Sequence, residues 1–180
     1  TAMTPWRRRG HSFGSGAKYL HVVDLDGAKG GKPVNTEVIM RLIKEVSVPV
    51  QVGGGIRSAE EARVYLDAGA ERVILSTTAL TNPETIRALI GEYGPGRIAV
   101  SVDSKIGFVA TDGWKKISAE TEDSFLIKLA GMGITTIIYT DITNDGTLQG
   151  PNFENIKKIL ARPFRVMVAG GITTIKDLQK

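Results

Sequence analysis

The chain has 180 residues, 42% hydrophobic and 23% charged, enough for one substantial core in a globular protein. Its net charge is +4, of which Arg7, Arg8 and Arg9 supply three units in an otherwise uncharged head, Thr1 to Ser15, so no extended basic face for nucleic acid is expected. The absence of cysteine excludes a disulfide framework and a thiolate metal site. No apolar run is long enough to span a membrane and no secretory signal is present, so a cytoplasmic location is expected.

Residues 1–15 show no periodicity and read as a disordered or non-native leader; residues 16–180 read as one domain. There, "YLHVVDL" (19–25) predicts a strand and "TEVIMRLIKEV" (36–46) a helix. "PVQVGG" and "AEEARVYLDAG" form the next pair, then "RVILS" (72–76) and "PETIRALIGEY" (83–93). "RIAVSVD" (97–103) is followed by an excursion containing "FVATDGWKK", then the helix "EDSFLIKLAGM" (122–132). "TTIIYTDI" (135–142) pairs with "FENIKKIL" (153–160), and "FRVMVAGG" (164–171) leads into a predicted helix at "TTIKDLQK". The strands are nearly continuous apolar runs, the pattern of parallel strands covered on both faces. Six such units fit either an open doubly wound sheet or a (β/α)8 barrel.

An internal repeat favours the barrel. "VGGGIRS" (52–58) returns as "AGGITTI" (169–175), Gly54 matching Gly170 at an offset of 116 positions. The same offset lays "HVVDL" (21–25) onto "IIYTD" (137–141), with four strand-helix units per period. The predicted fold class is an incomplete (β/α)8 barrel holding about six parallel units, strands two to seven. Its open edges are expected to invite self-association.

In such a fold chemistry sits at the C-terminal ends of the strands. Glycine runs there let an anion approach the backbone, and amides at the next helix start point at it. Gly53, Gly54, Gly55 and Arg57, with Ser76, Thr77 and Thr78, predict one phosphate cradle; Gly170 and Gly171 predict half of another. Two cradles imply a small-molecule substrate phosphorylated at both ends. Asp103 is a candidate general acid or base, or else a helix N-cap or a loop salt bridge. Asp145, in the turn sequence "NDGT", either orients substrate hydroxyls or shapes the turn. Asp24 lies inside an apolar strand, counts among the candidate binding residues, and needs a buried partner in any role. Trp114 either stacks on a flat heterocycle or caps the core. His21 reads as a core histidine. No histidine–carboxylate cluster has metal-ligand spacing, so no metal is expected.

Taken together, "LHVVDLDGA", "VQVGGGIRS", "SVD", "DGW" and "YTDITNDGTLQGPNFE" resemble the ProFAR isomerase family of histidine biosynthesis, in order, from Gly16 to Lys180. The resemblance implies an Amadori aldose-to-ketose rearrangement of a bisphosphorylated aminoimidazole carboxamide ribotide, without cofactor or metal. It implies that Asp103 is the acid, that Thr140 assists it, that Asp145 belongs to the catalytic set, and that Trp114 stacks on substrate. The family's strand-one aspartate base has no counterpart in this sequence. Two further readings stay open: a dual-specificity isomerase that also takes phosphoribosylanthranilate, and a non-catalytic phosphate-binding barrel fragment.

Overall fold

The computed structural model describes residues 16–147 and 150–179; the expected leader, 1–15, lies outside them. Six parallel strands form one curved sheet: β1 (Leu20–Val23), β2 (Val50–Gly53), β3 (Arg72–Leu75), β4 (Ile98–Lys105), β7 (Thr136–Asp141) and β8 (Arg165–Ala169). The excursion is a hairpin, β5 (Phe108–Thr111) and β6 (Lys116–Thr121), hydrogen-bonded antiparallel to the end of β4. Lys105 pairs with Phe108 across Ile106 and Gly107, both at positive φ, as a two-residue hairpin turn requires.

The helices follow their strands: α1 (Leu25–Gly30), α2 (Thr36–Glu45), α3 (Ala59–Asp67), α4 (Thr77–Thr81), α5 (Pro83–Tyr93), α6 (Glu122–Gly131) and α7 (Phe153–Leu160). Two of them were not expected from the sequence. Strand β1 ends at Val23 because Asp24 caps α1, its carboxylate accepting from the Gly27 amide at 2.8 Å. Helix α4 occupies the stretch read as part of a phosphate cradle. The predicted final helix is instead a 3-10 turn, Ile175–Gln179, in which the Asp177 carboxylate holds the Thr173 and Thr174 amides.

The main core lies between the outer face of the sheet and the helices. There Val52, Val73, Val100 and Ile137 meet Leu66, Leu89 and Leu129. A smaller cluster, Ile74, Ala99 and Ile138 with Met167 and Ala169, fills the concave side. The curl of the sheet brings opposite strands together: the Gln51 amide reaches the Met167 sulfur at 3.5 Å.

Gln51 and Met167 are repeat partners, 116 positions apart, so the duplication has its two copies meeting inside the sheet. For β1 and β7 the sequence offset is one short. His21, Ile138 and Thr140 face the concave side, whereas Ile137 is fully buried in the outer core. A one-residue slip turns a strand's side chains to the other face, so β1 matches β7 at 117. The loops agree. Asn35 donates to Asp24 at 2.8 Å, and Asn152 donates to Asp141 at 3.3 Å, each partner 117 positions on. The first half therefore carries one extra residue between Asn35 and Gln51.

Candidate functional site

A cavity of about 600 Å³ opens at the C-terminal ends of the strands, large enough for a drug-sized ligand. It gathers Gly53, Gly54, Gly55, Arg57, Ser76 and Thr77 from the β2 and β3 ends. From farther round the sheet come Asp103, Thr140, Asp145 and Gly170, and Trp114 comes from the hairpin. Eleven of the residues singled out from sequence thus share one wall.

Three others do not line it. Thr78 is buried, and its hydroxyl donates to the Ile56 carbonyl at 3.2 Å, fixing the glycine loop from behind. Gly171 packs against the Gly150 carbonyl. Asp24 is 2% exposed, and its carboxylate is consumed by the amides of Gly27, Val34 and Asn35 at 2.8–2.9 Å and by the Asn35 side chain. Burial pushes the Asp24 pKa up, but these hydrogen bonds outweigh it and hold the group below the ordinary carboxylate value. Its buried partner is the loop Gly27–Asn35, and its role is to shape that loop.

Asp103 is the opposite case. It stands at the end of β4, 8% exposed, and burial raises its pKa. Hydrogen bonds from Ser101, Thr140, Trp114 and Ser76 temper the rise without cancelling it. The Ser101 hydroxyl reaches both carboxylate oxygens, at 3.1 and 3.2 Å; Ser76 lies at 3.5 Å. A buried carboxyl group whose pKa is raised is suited to delivering or taking a proton. Ser101 was not anticipated from sequence, although it stands two positions before Asp103 and so shares its face.

The glycines have a reason that sequence reasoning did not supply. A Cβ on Gly54 would sit 2.3 Å from the Asp24 carbonyl oxygen, and one on Gly55 would sit 2.7 Å from Gly27 backbone. A Cβ on Gly170 would likewise sit about 3.1 Å from the Asp145 and Thr140 side chains. Each glycine turn is packed against the loop that follows the preceding strand, and only afterwards faces the cavity. Nor is the next helix start free to meet an anion. Glu61 accepts from the Arg57 and Ser58 amides at 2.7 and 3.1 Å, within a capping box on α3. Asp177, 116 positions on, does the same for Thr173 and Thr174, and these hydrogen bonds pull its pKa down to about 2.

The hairpin closes the rim. Asp112 pairs with Arg57 at 3.0 Å and Lys116 at 2.9 Å, and its amide donates to the Thr77 hydroxyl. Lys115 donates to the Lys29 carbonyl at 2.9 Å. Trp114, half exposed, is held over the cavity at φ 68°, a strained conformation for a bulky residue. Lys29, Arg57 and Lys115 place three cations on the lining. His21, read from sequence as a core histidine, also faces the cavity. Among the described residues no group of histidines and carboxylates is arranged to hold a metal, and no helix is long and apolar enough to cross a membrane.

A family model described as "Histidine biosynthesis protein" matches residues 10–180, beginning inside the segment read as a leader. Among similar proteins is the 1-(5-phosphoribosyl)-5-((5-phosphoribosylamino)methylideneamino) imidazole-4-carboxamide isomerase of Lachnoclostridium phytofermentans. It is 42% identical over 168 residues, 93% of this chain and 70% of the relative. Isomerases of the same name from Listeria welshimeri and Oceanobacillus iheyensis are each 46% identical. They cover 91% and 92% of this chain, and 68% and 69% of their own lengths.

Proposed function

The chain belongs to the histidine biosynthesis protein family, and we propose that it acts as its relatives are named, isomerising a bisphosphorylated imidazole carboxamide ribotide, ProFAR. The observation that carries this reading is the buried Asp103, set between two glycine turns that the internal repeat relates. A substrate phosphorylated at both ends matches that symmetry. The cations Lys29, Arg57 and Lys115 complement its charge. The glycine-turn backbone and the hydroxyl of Thr77 supply the donors that the capped helix starts do not.

The rearrangement needs a proton delivered to the ribose ring oxygen as its bond to C1′ breaks, and a proton removed from C2′ of the resulting imine. Asp103, held toward its neutral form and touched by Ser101 and Thr140, is the group suited to the first step. We assign the other to Asp145, the second carboxylate on the cavity wall. Trp114 offers a flat face to the imidazole. Neither step calls on a metal or a cofactor. A cytoplasmic location and a small-molecule ligand, rather than nucleic acid or a membrane, belong to this reading and rest on the family assignment.

Turnover of ProFAR by the purified chain tests it. Asp103→Asn is expected to lower kcat at least about a hundredfold, the scale of a lost proton-transfer group. A kcat left unchanged by this substitution would remove Asp103 from the mechanism. Absence of both turnover and ribotide binding in the unaltered chain would overturn the function itself. Supplying phosphoribosylanthranilate to the same sample separates a single-substrate isomerase from a dual one.

A further inference from the structure

Three residues at matched register positions on adjacent strands, His21 on β1, Gln51 on β2 and Arg72 on β3, form a chain of hydrogen bonds that ends at the cavity. Arg72 is pinned first. Its Nε donates to the Gly96 carbonyl at 3.0 Å and its Nη1 to the Tyr19 hydroxyl at 3.2 Å, with the guanidinium 5.9 Å from the Tyr19 ring centre. The same Nη1 donates to Gln51 Oε1 at 3.1 Å. A guanidinium has donors only, so the carbonyl end of the buried Gln51 amide must face Arg72. The amide nitrogen then faces the other way, toward Met167 and toward His21 Nδ1 at 2.6 Å.

An amide nitrogen has only hydrogens to offer. His21 Nδ1 must therefore accept, which leaves the ring proton on Nε2. A charged ring would set an N–H against an N–H, so the chain selects the neutral form. Desolvation by the surrounding strands acts in the same direction, lowering the His21 pKa.

We propose that Arg72 and Gln51 are positioning residues that fix His21 as a neutral imidazole, presenting its Nε2–H to an acceptor oxygen of the ligand in the cavity. The donor neither titrates nor changes tautomer while the substrate's own charge changes. Only the identity of the ligand rests on the isomerase reading; the tautomer assignment does not.

Long-range proton–nitrogen correlation spectra of the ¹⁵N-labelled full chain near neutral pH read the tautomer directly, with His11→Gln resolving the two histidines. The expected spectrum has His21 protonated at Nε2 and bare at Nδ1. Gln51→Glu puts an obligate acceptor opposite Nδ1 and is expected to move the proton there. Arg72→Met frees the Gln51 amide to turn over and is expected to give a mixture. A ring protonated at Nδ1 in the unaltered chain, or a Gln51→Glu spectrum unchanged from it, overturns the assignment. Ribotide affinity measured by calorimetry on the same proteins is expected to fall about tenfold in Gln51→Glu, the scale of one hydrogen bond. Equal affinities would overturn the ligand contact. If the unaltered chain binds no ribotide while its Nε2–H tautomer is found, the isomerase reading fails and the relay stands.

Discussion

Two aspartates show how far apart one fold can drive the same side chain. Asp103 is buried with hydroxyls for company, and its pKa is raised; Asp24 is buried among backbone amides, and its pKa is lowered. The consequences for stability have opposite signs. A raised pKa means that burial disfavours the carboxylate, so stability is fully present below the unfolded value near about 4 and is lost as pH rises through the folded pKa. Asp103→Asn should therefore melt at a higher temperature than the parent at pH 8, with the gap closing toward pH 3. For Asp24 the depressed pKa contributes stability above the unfolded value, lost as pH falls through the folded one. Asp24→Ala leaves the Gly27, Val34 and Asn35 amides without their acceptor and should cost roughly 3 kcal/mol or more by urea unfolding at pH 7. That penalty should shrink in strong acid. The "SVD" sequence was enough to single out Asp103. It did not show that the Asp24 carboxylate turns back into its own loop, because that direction is set by chain ten and eleven residues away.

At the scale of elements, the glycine turns join two adjacent strand-helix units. Gly54, at φ 101°, lies against the Asp24 backbone, so the loop after β1 and the loop after β2 form one body. Gly54→Ala would strain φ and drive a Cβ to 2.3 Å from a carbonyl oxygen. The expected result is a loss of several kcal/mol and of ribotide affinity together, read by thermal melts and calorimetry. Gly91, exposed in α5 with open space around it, is the contrast. Gly91→Ala should stabilise the chain by about 0.5–1 kcal/mol and leave binding unchanged. Equal effects at the two positions would contradict the packing account. Helices α2, α5 and α7 were legible to within a residue from their apolar spacing and, for α5, Pro83 at its first turn. Helix α1 was not, because six residues carry too little periodicity and its boundaries depend on the Asp24 cap and the left-handed Gly31.

The whole molecule is a duplicated, curled sheet whose two copies touch at Gln51 and Met167. Among the described residues β1 pairs only with β2 and β8 only with β7, leaving a row of backbone groups at each end of the sheet. Val23 and Leu25 lie exposed beside the first edge, and Ile172, Ile175 and Leu178 follow the second. Ion pairs add little to cohesion here. Most bridge exposed side chains, and pairs of that kind contribute about 0–1 kcal/mol each.

Apolar runs and helical spacing determined the six parallel units, because burial on both faces imposes those patterns whatever the neighbours do. Repeated motifs determined the duplication, and the ordered set of them determined the family. Tertiary structure decided which way each side chain points. Strand parity put His21 on the cavity wall and moved the β1 repeat offset to 117, since one residue of slip exchanges the faces of a strand. It also decided what the glycines are for. Their missing side chains admit the backbone of a neighbouring loop, a contact made by residues about thirty positions apart that sequence spacing alone does not bring together.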